Sequence, residues 1–395
     1  MFKVLKFQRF MAWTLMFFCF FFCFSGCVPK KEWVLRCGNN VIFSGEYAFL
    51  MSSVLLEANA RILGNRGSFE DVDFNLKKLQ SGYIENDTVF NWAKKEALKR
   101  SKQFLLTQLE YDRMNLSGSE AANRRFQSAF SSNFDSEFSG LNMNFNFSKF
   151  GCSKETMYAV SLDSVKKSTV FEEYFGVGKP WHNRIDENAV KNFTNQNFIK
   201  FKSIKISKNV NSPEYAQNND EKAGSKLSTI EGVNTPQELA EKYLNELNNS
   251  VNNIDEISKR YAKLTGSKEE QEIKPIITYK FSDKQESYST VDEEVKKFVN
   301  EIEPESKPVL KENENFYFIL QRYNLDEGDL SSQKGLASKI LSGKEIEKLL
   351  EELDKRYGKK IEINEKMVNK YSAEKMADRI AKYKPKADKK PGMFF

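Results

Sequence analysis

The chain has 395 residues, 40% of them hydrophobic and 29% charged, and a formal net charge of +6. Lys3, Lys6 and Arg9 supply +3 of that charge within residues 1–26, so the other 369 residues carry only about +3, too little to point to nucleic acid. One histidine, His182, and five cysteines without ligand spacing argue against a zinc site, and nothing in the chain suggests a cofactor or nucleotide.

No acidic residue accompanies the three N-terminal cations, and Phe10 to Phe24 is apolar except for Thr14. Phe24-Ser25-Gly26-Cys27 follows. A basic region, an apolar run and a small-residue cleavage site are the parts of a secretory signal. The fifteen-residue run is shorter than the ~20 residues of a membrane-spanning helix. Polar sequence also begins at once with Pro29-Lys30-Lys31, so a cleaved signal is preferred to an anchor helix. The cysteine after Ser-Gly resembles the lipobox of bacterial lipoproteins, although leucine is commoner there than Phe24. That resemblance implies a signal peptide at 1–26, lipid on Cys27, a linker at 27–32, and a place on the outer face of the bacterial cytoplasmic membrane. Cys37 and Cys152 then remain free to pair, which an extracellular setting permits and the sequence leaves open.

Trp33 to Phe43 reads as a hairpin turning at Gly38-Asn39-Asn40. Ser44 is placed to cap a helix carrying Tyr47, Met51, Val54, Leu55 and Ala58 on one face. A second helix is expected from Asp87-Thr88 to about Asn115, through Phe90, Ala93, Ala97, Phe104, Leu105 and Leu109. Ser117 and Glu120 have capping-box spacing and open a third, through Phe126 and Phe130. Ser131–Ser148 reads as irregular, and a fourth helix follows Cys152 and stops before Gly176-Val177-Gly178.

The pattern changes after Pro180. Asp186 caps a short helix to about Asn195, and Phe198–Ile206 alternates as a strand. Asn209–Thr235 is polar and reads as a flexible loop. Helices at Pro236–Leu247 and Ile254–Leu264 precede a strand at Pro275–Phe281. Val291, Val295, Phe298 and Ile302 mark one more helix, and Pro308–Leu310 with Phe316–Leu320 a closing hairpin. From Ser331 a helix carries Leu336, Ile340, Leu341, Ile346, Leu349, Leu350 and Leu353. Gly358 suits its C-terminal end, Ile361 and Ile363 alternate like an edge strand, and a weaker helix runs to about Tyr383. The charges of Glu345–Lys355 read as a solvated helix face, and the tail from Pro385 as disordered.

This order resembles the PrsA/SurA group of extracytoplasmic foldases in lipid-anchored form. Cys37 to Tyr47 resembles the family's opening hairpin and first helix. Asn192–Ile206 resembles the entry to a parvulin-type isomerase domain, and Phe316–Gln321 its last strand. The implied fold is mainly α with an α+β insert. A SurA-like chaperone lobe is built from both chain ends, 33–185 and 325–383, around a degenerate parvulin-like domain at 186–324, with a basic tail at 384–395.

The resemblance fails where parvulins carry their histidines. In Lys202-Ser203-Ile204-Lys205, Ser203 stands in the first histidine's place; Phe318 after Tyr317 stands in the second's; Ile277 stands roughly where an acidic residue belongs. A serine and a phenylalanine cannot supply a polar histidine network against a barrier of ~18–20 kcal/mol. His182 precedes the domain without a visible acid–base partner. No catalytic residue is therefore assigned. The resemblance implies a chaperone for unfolded secreted polypeptides, with Tyr47, Trp92 and Phe104 as candidate client-binding residues, each with core packing as the plainer role. A prolyl isomerase with a divergent site and a non-folding structural lipoprotein are the alternatives, and whether the chain forms a homodimer is left open.

Overall fold

The computed structural model describes residues 32–63, 74–118, 120, 154–209, 227–265, 274–281 and 291–382. The signal segment, Cys27, Cys152, the helix expected through Phe126 and Phe130, Ser131–Ser148, and the tail lie outside them. So does most of the loop expected at Asn209–Thr235. The chain divides into two compact units, residues 1–182 with 346–395, and residues 183–345.

The first unit opens with β1 (Trp33–Cys37), β2 (Asn40–Phe43), α1 (Ser44–Leu63), α2 (Leu76–Ser81), β3 (Tyr83–Ile84), β4 (Asp87–Thr88), α3 (Val89–Arg113) and α4 (Lys154–Phe175). The second holds α5 (Glu187–Asn197), β5 (Phe198–Ser207), α6 (Pro236–Asn248), α7 (Ile254–Thr265), β6 (Ile276–Tyr279), α8 (Glu293–Asn300), β7 (Val309–Glu312) and β8 (Phe316–Tyr323). Helix α9 (Glu327–Tyr357) contributes to both, and β9 (Glu362–Ile363), α10 (Glu365–Lys370) and α11 (Ala373–Lys382) complete the first. The described chain is thus mainly helical, with small antiparallel sheets.

In the first unit Cys37 pairs with Asn40, so the turn is Gly38-Asn39, one residue tighter than expected. Gly38 has φ +58°, a conformation strained for any residue with a Cβ. Ser44 is the first helical residue and not the cap; Glu46 instead accepts the Phe43 N–H at 2.6 Å and so satisfies a donor at the helix start. The apolar stripe of α1 packs on α3, and both ends of the chain feed one core. Val34, Leu35, Tyr47, Met51 and Leu105 are joined in it by Met367, Val368, Met376 and Ile380. Strand β9 pairs with the free edge of β1, giving the order β2-β1-β9. The single weak helix expected to Tyr383 is two, interrupted at Tyr371-Ser372.

The second unit is a four-stranded antiparallel sheet, β6-β5-β8-β7. Successive residues along its strands point to opposite faces, and both faces are packed, so β5 and β8 each carry runs of buried residues. Ile204, Ile206 and Ile319 meet Leu239, Tyr243 and Ile257 of α6 and α7. Ile199, Phe201, Phe318 and Leu320 meet Val295 and Val299 of α8. The unit extends to Glu345 because Ala337, Ile340 and Leu341 of α9 pack with Val190, Phe198 and Tyr279. The boundary drawn at 324 from the sequence therefore falls before the helix that closes this core.

Candidate functional site

The β5–β8 register decides which sheet residues meet. Ser203 pairs with Leu320 and Lys205 with Phe318, so Ser203 and Phe318 stand on the same face, the one covered by α8. Ile277 pairs with Lys200 and packs with Phe198 and Tyr279 on the opposite face. The β6 residues sharing a face with Ser203 are Ile276 and Thr278, and Thr278 is buried with a hydroxyl that has no hydrogen-bond partner among the described residues. Thr278 was not singled out in the sequence. A hydroxyl residue between Ile277 and Tyr279, read with strand parity, is the signal that could have found it.

Around Phe318 the face is aromatic. Its ring centroid lies 6.2 Å from that of Phe298 and 6.1 Å from that of Phe316, both rings tilted against it. Phe318 is buried, whereas Phe298 and Phe316 are half-buried and reach the surface. The Lys205 ammonium sits 3.7 Å from the Phe316 centroid. Lys311 lies 5.9 Å from the Phe298 centroid and is bonded to Glu301 at 2.8 Å. Beside this wall is a shallow depression of about 540 Å³ lined by Ser207, Lys208, Asn209, Glu314, Asn315 and Phe316.

Of the β5, β6 and β8 side chains on this face, only Lys205 and Arg322 ionise. Burial pulls the Arg322 guanidinium below its ordinary value, partly opposed by Glu303, and Arg322 donates to the Ile302 carbonyl at 2.6 Å. The part of this face that reaches the surface is its aromatic edge at Phe298 and Phe316, while Thr278 is buried within it. The β5, β6 and β8 residues on this face include hydroxyls but no imidazole, thiol or carboxylate.

The other sequence candidates belong to the first unit. His182 Nδ1 lies 3.2 Å from the Phe175 carbonyl, beside Trp181, which packs edge-on to Tyr174 and Phe175. Tyr47, Trp92 and Phe104 are 0%, 7% and 9% exposed and form part of the core, the plainer of the two roles given them, so they are not an open client surface. Tyr47 begins the α1 stripe that faces α3, Trp92 is covered by the Arg61 guanidinium at 5.0 Å, and Phe104 has the Lys167 ammonium 5.7 Å from its ring. Cys37 is buried. Among the described residues, no three His, Cys, Asp or Glu side chains gather as metal ligands, and no helix is long and apolar enough to cross a membrane.

No family model matches the chain, and no curated protein does. Among solved structures it is similar to the foldase protein PrsA of Lactococcus lactis, with 7% identity, 86% of this chain and 99% of that one covered, and a TM-score of 0.25. It is also similar to the foldase protein PrsA of Streptococcus pneumoniae, with 10% identity, coverage of 87% and 99%, and the same TM-score of 0.25.

Proposed function

We propose that this chain is a lipid-anchored extracytoplasmic folding factor that holds unfolded secreted polypeptides and does not catalyse prolyl isomerisation. The reading rests first on the face carrying Ser203 and Phe318, which has an aromatic wall but no imidazole, thiol or carboxylate on its three strands. An apolar wall binds extended chains; lowering a rotation barrier needs polar groups placed against the peptide bond being twisted. The order strand, two helices, strand, helix, two strands across β5–β8 agrees with the parvulin-like resemblance, as does a second unit flanked on both sides by segments of the first. The Cys27 lipid would concentrate this surface where unfolded chains emerge.

Holding is tested by adding the soluble chain, residues 28–395, to an aggregating unfolded protein. Near-stoichiometric amounts should suppress light scattering in proportion to the molar ratio, and no suppression at any ratio contradicts the reading. The anchor is tested separately. Cys27→Ser should abolish lipid labelling and leave an unprocessed precursor, whereas a labelled Cys27→Ser protein would remove Cys27 from its role.

A further inference from the structure

On the face of the second unit away from Ser203, Lys344 of α9 reaches the β6 edge and ends inside a ring of aromatic side chains. Its ammonium nitrogen lies 5.2 Å from the Phe193 centroid, 5.4 Å from that of Tyr279 and 5.8 Å from that of Phe281. It also donates to the Tyr279 hydroxyl at 2.7 Å. The rings brace one another: Phe193 stacks with Tyr279 at 6.2 Å, and Phe281 stands edge-on to Tyr279 at 5.5 Å. No carboxylate pairs with Lys344 among the described residues. Among the described residues its charge is met by ring faces and one phenolic oxygen, the arrangement that recognises organic cations.

Core packing accounts for Phe193 and Tyr279, which belong to the cluster with Phe198 and Ile340. Phe281 lies outside that cluster and is 53% exposed. Lys344 is exposed too, so it can leave without opening the core. The chain's own lysine displays the chemistry the box accepts. We propose that Phe193, Tyr279 and Phe281 form a recognition site for a primary alkylammonium group, with Lys344 as an internal occupant that an incoming amine displaces. The Tyr279 oxygen sets the selectivity, because it needs an N–H to accept and a quaternary ammonium has none.

Such a site binds weakly while Lys344 fills it, since apparent affinity falls by the fraction of molecules with the box empty. The test follows aromatic resonances by NMR while n-butylammonium chloride or tetramethylammonium chloride is titrated into wild type and Lys344→Met. Lys344→Met should bind n-butylammonium about fivefold or more tightly than wild type and prefer it to tetramethylammonium. Phe281→Ala should weaken that binding, and Tyr279→Phe in the Lys344→Met background should erase the preference. A measurement without a variant runs alongside: n-butylammonium should move the ring-shielded Lys344 Hε resonances of wild type toward their free values. The proposal is overturned if those resonances stay fixed and folded Lys344→Met shows no ring shifts. Equal binding of both amines by Lys344→Met would also overturn it.

Discussion

Glu110 shows how much of the first unit's cohesion passes through one side chain. It is fully buried on α3 and accepts from Arg113 at 2.7 and 2.9 Å, Tyr174 at 2.5 Å, Tyr357 at 2.8 Å, and Arg356 at 2.9 and 3.1 Å. Helices α3, α4 and α9 therefore share one carboxylate. Burial pushes its pKa up, but the hydrogen bonds from Arg113, Tyr174 and Tyr357 and the Arg356 charge outweigh that and hold it at about 2. A folded pKa below the unfolded one gives stability that is complete above the ordinary carboxylate range, near pH 4.3, and is lost as pH falls toward 2. Glu110→Gln should cost about 2–3 kcal/mol at pH 7, less than a fully buried ion pair because Arg113 and Arg356 are half-exposed. Measured by denaturant unfolding, that difference should shrink toward zero between pH 4.3 and pH 2, and a constant difference would contradict the assignment. Nothing in the local sequence marks Glu110 out, because Arg356 and Tyr357 lie 246 and 247 positions away.

Elements with a capped start were legible, and those built on unusual turns were not. Asp186 accepts the Ala189 N–H at 2.8 Å and Thr88 caps α3, both as the residue types and spacing predict. The β3–β4 hairpin was missed. Its turn is Glu85-Asn86, with φ of 54° and 65°, where the familiar signal is Asn-Gly. Two positive φ values in a two-residue loop match strand twist, but glutamate adopts that region at a cost. Glu85→Asn should therefore stabilise the chain by about 0.5–1 kcal/mol in thermal or denaturant unfolding. The opposing loss is small, since the Glu85–Arg61 contact is a partly exposed 3.6 Å pair. Destabilisation would mean that the ion pair outweighs the backbone strain.

The order of elements could be read at the scale of the whole molecule because period-2 and period-3.6 patterns change abruptly near Pro180. Which residues face one another could not. Strand parity places Ser203 with Phe318 and removes Ile277, and that follows only from the pairing of β5 with β6 and β8. Likewise Tyr47, Trp92 and Phe104 are open to either a client-binding or a core role from the sequence, and their neighbours, contributed by both chain ends, make them core. Under the proposed holding function, the half-buried aromatic edge at Phe298 and Phe316 is the candidate client surface. The most direct test is the rate of a proline-limited refolding phase in a model protein, followed with catalytic amounts of residues 28–395. The account predicts an unchanged rate constant, even at ratios where aggregation of an unfolded client is suppressed. A rate that rises linearly with catalytic amounts of the chain would contradict it and make Ser203, Thr278 and their neighbours a working isomerase site.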